Sequence, residues 1–415
     1  MKPARGAELL TPLALAALNA EAAVRLLTPR EPLPTPAPVD IRDHFSDEEI
    51  ARGRRFARPQ LAIGLARSAL DAAVLAYVVR RRARRSLPAG AGAGGDSGGG
   101  SDAAVVAGAA AAGAALSSVL TLPGLPLSAL ARQRALRVGL ATQSWRDWGS
   151  DLAKATAIQG ALAAAGAAAV TAAARRWPRD WWLPAAAGSV VFGAAFAALA
   201  PVLLDPVFND FTPLPDGDTR SDVLALADAA GVSVGEVFSI DASRRTTAAN
   251  AYVTGLGPTK RVVLFDTLLE HFNRDEVRVV VAHELAHVRH RDVARSVAFA
   301  ALTEPAAAFA VQRLSWTMSP ARASAGALPA LALATSAVSL PLGVLSSRLS
   351  RAVERRADEF SLRLSQAPRA FVSFERAIAL QNIADLEPPR LLTRLLATHP
   401  PTAERIGAAL AHEAA

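Results

Sequence analysis

The chain has 415 residues, 51% of them hydrophobic, and a formal net charge of +8 at pH 7. A water-soluble protein of this size is rarely so apolar, so the composition predicts membrane-spanning helices. The chain has no cysteine, which excludes disulfides, thiolate metal sites and a cysteine nucleophile. Aromatic residues make up only 5%, and no basic face with interleaved aromatics occurs. We therefore assign the excess charge to arginines that flank membrane helices and expect no nucleic-acid partner.

Residues 1–204 are predicted to form about five membrane helices. The first apolar stretch, 9–27, carries Asn19, Glu21 and Arg25, so it is either a poor membrane helix, which we prefer, or a signal peptide. Four further spans are predicted at 59–79, 103–123, 155–174 and 183–204.

The segments between these spans are predicted as loops. Residues 28–57 and 124–153 are polar or basic, and the Gly-rich tract 86–101 is expected to be a flexible loop. The sequence RRWPRDWW at 175–182 is typical of an interfacial turn, with Trp177, Trp181 and Trp182 as membrane-boundary residues.

Residues 205–292 change to the mixed, charged pattern of a small α/β domain. An amphipathic helix is predicted at 221–231, short strands at 236–241, 250–255 and 261–266, and a second helix at 275–290. Two more membrane helices are predicted within 293–346, at about 296–316 and 324–346, although Glu304, Pro305 and Arg313 interrupt the first. Residues 347–415 are predicted to complete the domain, with a charged helix at 346–364 and a break at 399–401.

The pattern His283-Glu284-Leu285-Ala286-His287 lies in the predicted helix 275–290. Residues four apart share one helix face, so both imidazoles can bind a single ion, and Zn²⁺ accepts neutral imidazole. Glu284 follows the first histidine and can take a proton from a water that the metal polarises, then pass it to a leaving amine. The pattern therefore predicts a catalytic zinc site, with one Zn²⁺ per chain.

A catalytic zinc site needs a third protein ligand. His290 is one candidate, although it is surrounded by charged residues and is expected to face solvent. The other is Glu354, which shares a helix face with Asp358. One of these carboxylates can bind metal while the other accepts the free N–H of a ligand histidine. A surface carboxylate pair that balances nearby arginines would give the same spacing.

The HELAH helix, the later ERRAD helix and the layout of the spans resemble the type-I CAAX prenyl endopeptidases, from about residue 120 to 406. These are integral-membrane zinc metallopeptidases with relatives in bacteria, and this chain is similar to a bacterial member. The resemblance implies a mainly α, polytopic helical membrane protein with a small α/β zinc-peptidase domain of gluzincin type. It also implies Glu354 as the third ligand and Asp358 as the carboxylate behind a ligand histidine.

The resemblance extends to three further positions. His399, in THPPTAERI, matches a family histidine that polarises the tetrahedral intermediate, and Arg405 matches an arginine that supports the site. The segment 250–269 matches the strands beside the family's zinc cleft, where substrate binds along an edge strand, and implies that Asn250 contacts substrate.

We expect a membrane-embedded zinc endopeptidase that hydrolyses peptides or membrane-associated proteins, in contact with membrane lipid, multi-pass in the plasma membrane with its metal domain facing the cytoplasm. Arginine counts on the two sides do not decide that orientation, which follows from the resemblance. The Ala- and Arg-rich composition is typical of GC-rich bacteria, where prenylated substrates are not expected, so quality control of membrane proteins is favoured. The alternatives are a heat-shock-type membrane metallopeptidase with fewer spans, and a scaffold or transporter with a vestigial site. The sequence does not decide the oligomeric state.

Overall fold

The computed structural model describes residues 3–85, 101–255 and 260–414, so the predicted Gly-rich loop lies, apart from its last residue, outside the described part. Seven of the described α-helices are long: α1 Pro3–Leu27, α2 Asp47–Arg85, α3 Asp102–Arg137, α4 Trp145–Arg176, α5 Trp182–Leu203, α10 Asp292–Met318 and α11 Leu328–Ser365. The other seven are shorter: α6 Asp205–Phe208, α7 Asp218–Ala229, α8 Asp266–His271, α9 Arg274–Arg289, α12 Pro368–Gln381, α13 Arg390–Leu396 and α14 Thr402–Glu413.

The long helices form a bundle whose two ends differ. At one end, which we call the domain end, the helices meet the α/β domain: Asp151 of α4 pairs with Arg245 at 2.9 Å, and Arg58 of α2 pairs with Asp385 at 2.7 Å. From there α4 runs to Arg176 and α10 runs to Met318, where the turns to α5 and α11 lie. We call that opposite side the far end.

Among the described residues, six helical segments are long and apolar enough to cross a membrane: Leu10–Leu27, Asp47–Arg82, Asp102–Arg137, Trp145–Arg176, Trp182–Phe208 and Ala325–Ser365. The helix at 292–318 is not among them, which leaves six spans by composition rather than seven. The polar residues of α10 lower its hydropathy. It is nevertheless part of the bundle, where it packs between α1 and α5. The first apolar stretch is part of this bundle, since Ala16 and Ala20 of α1 are buried.

Two predicted loops are wrong in part, because polar helices continue beyond the apolar spans. The segment 28–57 is helical from Asp47 onward, and the segment 124–153 is helical except for the turn between Arg137 and Trp145. The span at 324–346 and the charged helix at 346–364 are one continuous helix, α11. Charged residues therefore extend the helices out of the apolar layer rather than ending them.

The α/β domain holds a four-stranded sheet with the order β1-β2-β4-β3. The strands are β1 Phe211–Pro213, β2 Glu236–Ile240, β3 Ala251–Thr254 and β4 Arg261–Phe265. The three predicted strands are confirmed, and the short β1 was not predicted. β2 and β4 are parallel, whereas β1 and β3 are antiparallel to their neighbours. Within the described residues β3 is an edge strand, and it packs beside α9.

Helix α9 is buried between the sheet and α11. Asn273 accepts a hydrogen bond from the Glu276 N–H, and the Glu276 carboxylate accepts one from the Asn273 N–H, a reciprocal pair that fixes the helix start. Val281 and Leu285 are fully buried in the domain core. Ser361 of α11 donates to the Val279 carbonyl at 2.7 Å. These contacts fix the rotation of α9 against α11 and thus the direction in which its histidines point.

Candidate metal centre

The two histidines of α9 converge, as their spacing predicts. His283 is 7% exposed, and its Nε2 lies 3.3 Å from Nε2 of His287. The ring planes are nearly perpendicular, with centroids 5.0 Å apart. Two imidazole nitrogens are thus directed toward one point beside the helix.

Glu354 of α11 brings a carboxylate to the same point. Its Oε2 lies 3.2 Å from His283 Nε2, and its Oε1 lies 3.7 Å from His287 Nε2. Glu354 is only 7% exposed, and its buried Oε2 has no hydrogen-bond partner within the described residues. A buried carboxylate oxygen without a donor is costly unless a cation compensates it.

The spacing of these three ligands fits a tetrahedral divalent ion. Ligand atoms about 2.0–2.1 Å from Zn²⁺ in tetrahedral geometry are about 3.3 Å from each other. His283 Nε2 lies 3.3 Å from His287 Nε2 and 3.2 Å from Glu354 Oε2, which is close to that distance, while the other Glu354 oxygen, Oε1, lies 3.7 Å from His287 Nε2. Two imidazoles and a carboxylate are also a ligand set that zinc takes in catalytic sites, with a fourth position left for water or substrate.

Each histidine is held from behind by a buried carboxylate and an arginine. Nδ1 of His283 lies 2.9 Å from Oδ1 of Asp358, and Arg405 donates to both oxygens of Asp358. Since an Asp carboxylate accepts hydrogen bonds, it favours the tautomer with hydrogen on Nδ1 and a free lone pair on Nε2. Arg405 also pairs with Glu375 at 2.6 Å, and Glu375 is only 2% exposed.

The second histidine has a partner that the sequence analysis missed. Nδ1 of His287 lies 3.0 Å from Oδ2 of Asp292, and the buried Arg356 donates to Oδ1 of the same carboxylate. Asp292 starts α10, and the left-handed Arg291, with φ at 55°, turns the chain so that Asp292 returns to His287. The sequence signal that could have indicated this partner is the acidic residue just past the end of the helix that carries both histidines.

The charges around the two imidazoles favour a cation. Burial disfavours charge on His283, but the carboxylates of Asp358 and Glu354 outweigh it and raise the pKa of His283 to about 10. Burial likewise opposes charge on Arg405, yet Asp358 and Glu375 raise its pKa above the ordinary value. The same negative field that would hold a proton on His283 would hold a divalent ion.

Glu284 lies beside the two histidines. One of its carboxylate oxygens and one ring nitrogen from each of His283 and His287 lie within 4.8 Å of one another. Burial raises the pKa of Glu284 above its usual range. A carboxylate with a raised pKa is better suited to accept a proton and return it near neutral pH.

The remaining candidates lie at different distances from the histidine pair. His399 is 61% exposed at its side chain, and its Nε2 lies 3.4 Å from Oε2 of Glu354, so it stands at the rim of the site. Asn250 is exposed at the start of the edge strand β3. His290 turns away from the pair, because its Nδ1 bonds to the Ala286 carbonyl and its ring packs on Phe360. The structure thus brings Glu354, not His290, to the two histidines.

Comparison with known proteins gives concordant results. The model of peptidase family M48 matches residues 213–413. The metalloprotease YhfN of Bacillus subtilis is 30% identical over 300 residues, which is 70% of this chain and 70% of that protein. CAAX prenyl protease 1 of Saccharomyces cerevisiae is 43% identical over 105 residues, 25% of this chain and 23% of that protein. The crystal structure of S. mikatae Ste24p superposes with a TM-score of 0.71 at 21% identity, covering 97% of both chains. That last match shows a shared fold.

Proposed function

We propose a zinc-dependent endopeptidase mechanism for this chain, which belongs to peptidase family M48 and is a multi-pass membrane metallopeptidase. In the proposal His283, His287 and Glu354 hold one Zn²⁺ per chain. The observation that carries it is the convergence of the two Nε2 atoms on the Glu354 carboxylate, whose Oε2 lies 3.2 Å from His283 and whose Oε1 lies 3.7 Å from His287. Zinc, when bound, would polarise the scissile carbonyl and acidify a water molecule.

Glu284 would handle the protons of the hydrolysis. Its carboxylate would accept the proton of the attacking water as the water oxygen bonds to the carbonyl carbon. It would then return that proton to the amine nitrogen as the C–N bond breaks. The position of its carboxylate beside both histidines supports this role, as does the pKa that burial raises.

His399 would stabilise the charge that develops on the carbonyl oxygen. Its exposed ring at the rim can donate a hydrogen bond toward a bound peptide, and such donors are worth most where negative charge appears in the transition state. Arg405 would act indirectly, because it holds the Asp358 carboxylate in place and that carboxylate holds the His283 ring. We therefore treat Asp358 and Arg405 as positioning residues.

The substrate would be an extended peptide or a segment of a membrane-associated protein. The outer edge of β3, which pairs with no further strand among the described residues, can pair with an extended chain through backbone hydrogen bonds, with Asn250 at the start of that edge. The S. cerevisiae relative is named as a CAAX prenyl protease. We favour quality control of membrane proteins here, in the plasma membrane with the metal domain in the cytoplasm.

The alternatives are less favoured. A heat-shock-type peptidase with fewer spans does not agree with a fold match that covers 97% of the chain. A scaffold or transporter with a vestigial site would have no need for both histidines to keep a buried carboxylate and arginine behind them.

Hydrolysis of casein by the purified full-length protein tests the proposal. We expect Glu284→Gln to lower the cleavage rate by about 10²- to 10⁴-fold and to retain one zinc per chain by metal analysis. Glu270→Gln, which changes an exposed glutamate of the same domain, is the matched control and should cleave at the wild-type rate. Equal cleavage by wild type and Glu284→Gln, or none by zinc-loaded wild type, would contradict the proposal.

A further inference from the structure

A second polar site lies at the far end of the bundle, away from the metal centre. A cavity of about 810 Å³ opens between the end of α4, the turn before α5, the end of α10 and the loop that follows it. Four arginines line it: Arg175, Arg179, Arg313 and Arg322. Asp102 and Asp180 are the acidic residues of its lining, which leaves a formal charge of +2.

Three of the four arginines form no ion pair within the described residues. Arg175 pairs with Asp102, whose side chain is 81% exposed. Within residues 3–85, 101–255 and 260–414, the side chains of Arg179, Arg313 and Arg322 form no ion pair. Gln312, which is 2% exposed, donates to the Arg179 carbonyl at 3.0 Å and fixes the turn at the cavity wall. Arg179, Arg313 and Arg322 therefore line a common space without an anionic partner among the described residues.

Tryptophans place the cavity at the membrane boundary. Trp181 is 5% exposed in its wall, Trp182 packs edge-on against Phe309, and Arg322 lies over the Trp316 ring at 4.4 Å. Tryptophan rings concentrate at the headgroup level of membranes. The length of α4 also places the cavity at the membrane boundary. The residues from Asp151 at the domain end to Arg175 span about 36 Å, slightly more than the thickness of a hydrocarbon core of about 30 Å.

We propose that this cavity binds the phosphate of an anionic phospholipid headgroup. Arginine matches phosphate through paired N–H donors, and Arg179, Arg313 and Arg322 line the cavity without an ion-pair partner among the described residues. The volume is that of a small-molecule site. Below the cavity, α5 presents exposed apolar side chains such as Leu183 (51%) and Val191 (69%), along which acyl chains can lie.

Lipid retention by the full-length protein tests this proposal. Wild type is reconstituted in vesicles of dioleoyl phosphatidylglycerol or dioleoyl phosphatidylcholine and extracted in detergent, and bound lipid is counted by native mass spectrometry. The test variant is Arg313→Gln with Arg322→Gln. The matched control is Arg81→Gln with Arg176→Gln, which removes the same charge from the far ends of α2 and α4. Arg176 also stacks on a tryptophan, Trp177, but does not line the cavity.

We expect wild type and control to retain phosphatidylglycerol and the test variant to bind it at least about tenfold more weakly, with casein cleavage unchanged. Phosphatidylcholine should not be retained by any of them. Equal retention of phosphatidylglycerol by wild type and test variant would overturn the proposal, as would equal retention of the two lipids.

A third arm of the experiment adds inorganic phosphate alone. If phosphate binds with the same dependence on the arginines while phosphatidylglycerol is not retained, the site takes a free anion and the lipid assignment is wrong. If the double variant does not fold, Arg313→Gln alone is judged by the same criteria.

Discussion

The metal domain and the membrane bundle use opposite rules for what is buried. Around the metal centre the buried side chains include charged ones: Arg356, Asp358 and Glu375 are 2–3% exposed, and each contacts a group of opposite charge. In the bundle, large apolar side chains such as Val191 and Phe192 are 69% and 54% exposed. The domain is built for water, where an exposed apolar side chain is costly, and the bundle is built for lipid, where it is not.

The two regions also bring their helices together differently. In the domain, large side chains such as Phe371 and Leu285 fill the space between elements, and they are fully buried. In the bundle, α3 and α4 meet through glycine and alanine: a Cβ on Gly113 would lie 2.6 Å from the Ala163 carbonyl oxygen. Because lipid tails provide no hydrophobic drive between helices, close backbone approach is what stabilises that contact. Four substitutions test this contrast, from the largest expected effect to the smallest.

Glu354→Ala should have the largest effect, because it leaves two ligands where the site needs three. We expect zinc affinity to fall by more than the roughly 10- to 100-fold that loss of a hydrogen-bonded partner behind a ligand costs. Metal analysis after dialysis measures it. The control is Glu359→Ala on the same helix, a buried glutamate that pairs with Arg363 and His412 rather than with the site. Full zinc occupancy in Glu354→Ala would remove Glu354 from the ligands.

Arg356→Met should destabilise the protein by about 2–3 kcal/mol, because it removes the buried arginine from the Asp292 carboxylate and leaves Arg295, at 3.3 Å, as the remaining arginine partner. Its neighbour provides the control: Arg355 is 41% exposed and pairs with Glu404, so Arg355→Met should cost less than about 1 kcal/mol. Thermal unfolding in detergent compares the two. Equal losses would show that burial does not distinguish these ion pairs.

Gly113→Leu should destabilise the bundle by about 1–3 kcal/mol, since the added side chain would collide with the α4 backbone. Gly108→Leu, on the same helix with nothing within 4 Å of the added Cβ, should be tolerated. Thermal unfolding is the measurement, and zinc content should not change in either variant. Loss of zinc in Gly113→Leu would mean that the bundle contact and the metal centre are coupled.

His290→Ala should have the smallest effect, below about 1 kcal/mol, because its ring packs only partly buried against Phe360. Zinc content should equal that of wild type, since His290 turns away from the histidine pair. Loss of zinc would place His290 among the ligands and would make the orientation of α9 described above wrong.

Local patterns in the sequence were sufficient for much of this protein. The long apolar runs predict the bundle, the short apolar runs predict three of the four strands, and the spacing of His283 and His287 places both rings on one helix face. The family resemblance extended this to Glu354 and Asp358, which the structure brings to His283. Helix ends were less well predicted, because α2, α3 and α11 continue through polar residues that resemble loops.

Other features arise only when distant segments meet. The sequence does not show that Asp292 returns to His287, since this depends on a single left-handed residue, Arg291, between two helices. The partnership of Glu375 with Arg405 and the arginine cavity at the far end likewise join separate helices. Periodicity fixes which side chains share a face of one helix, because that geometry is local. Which faces then meet is decided by packing and by the pairing of buried charges, and these depend on the whole tertiary structure.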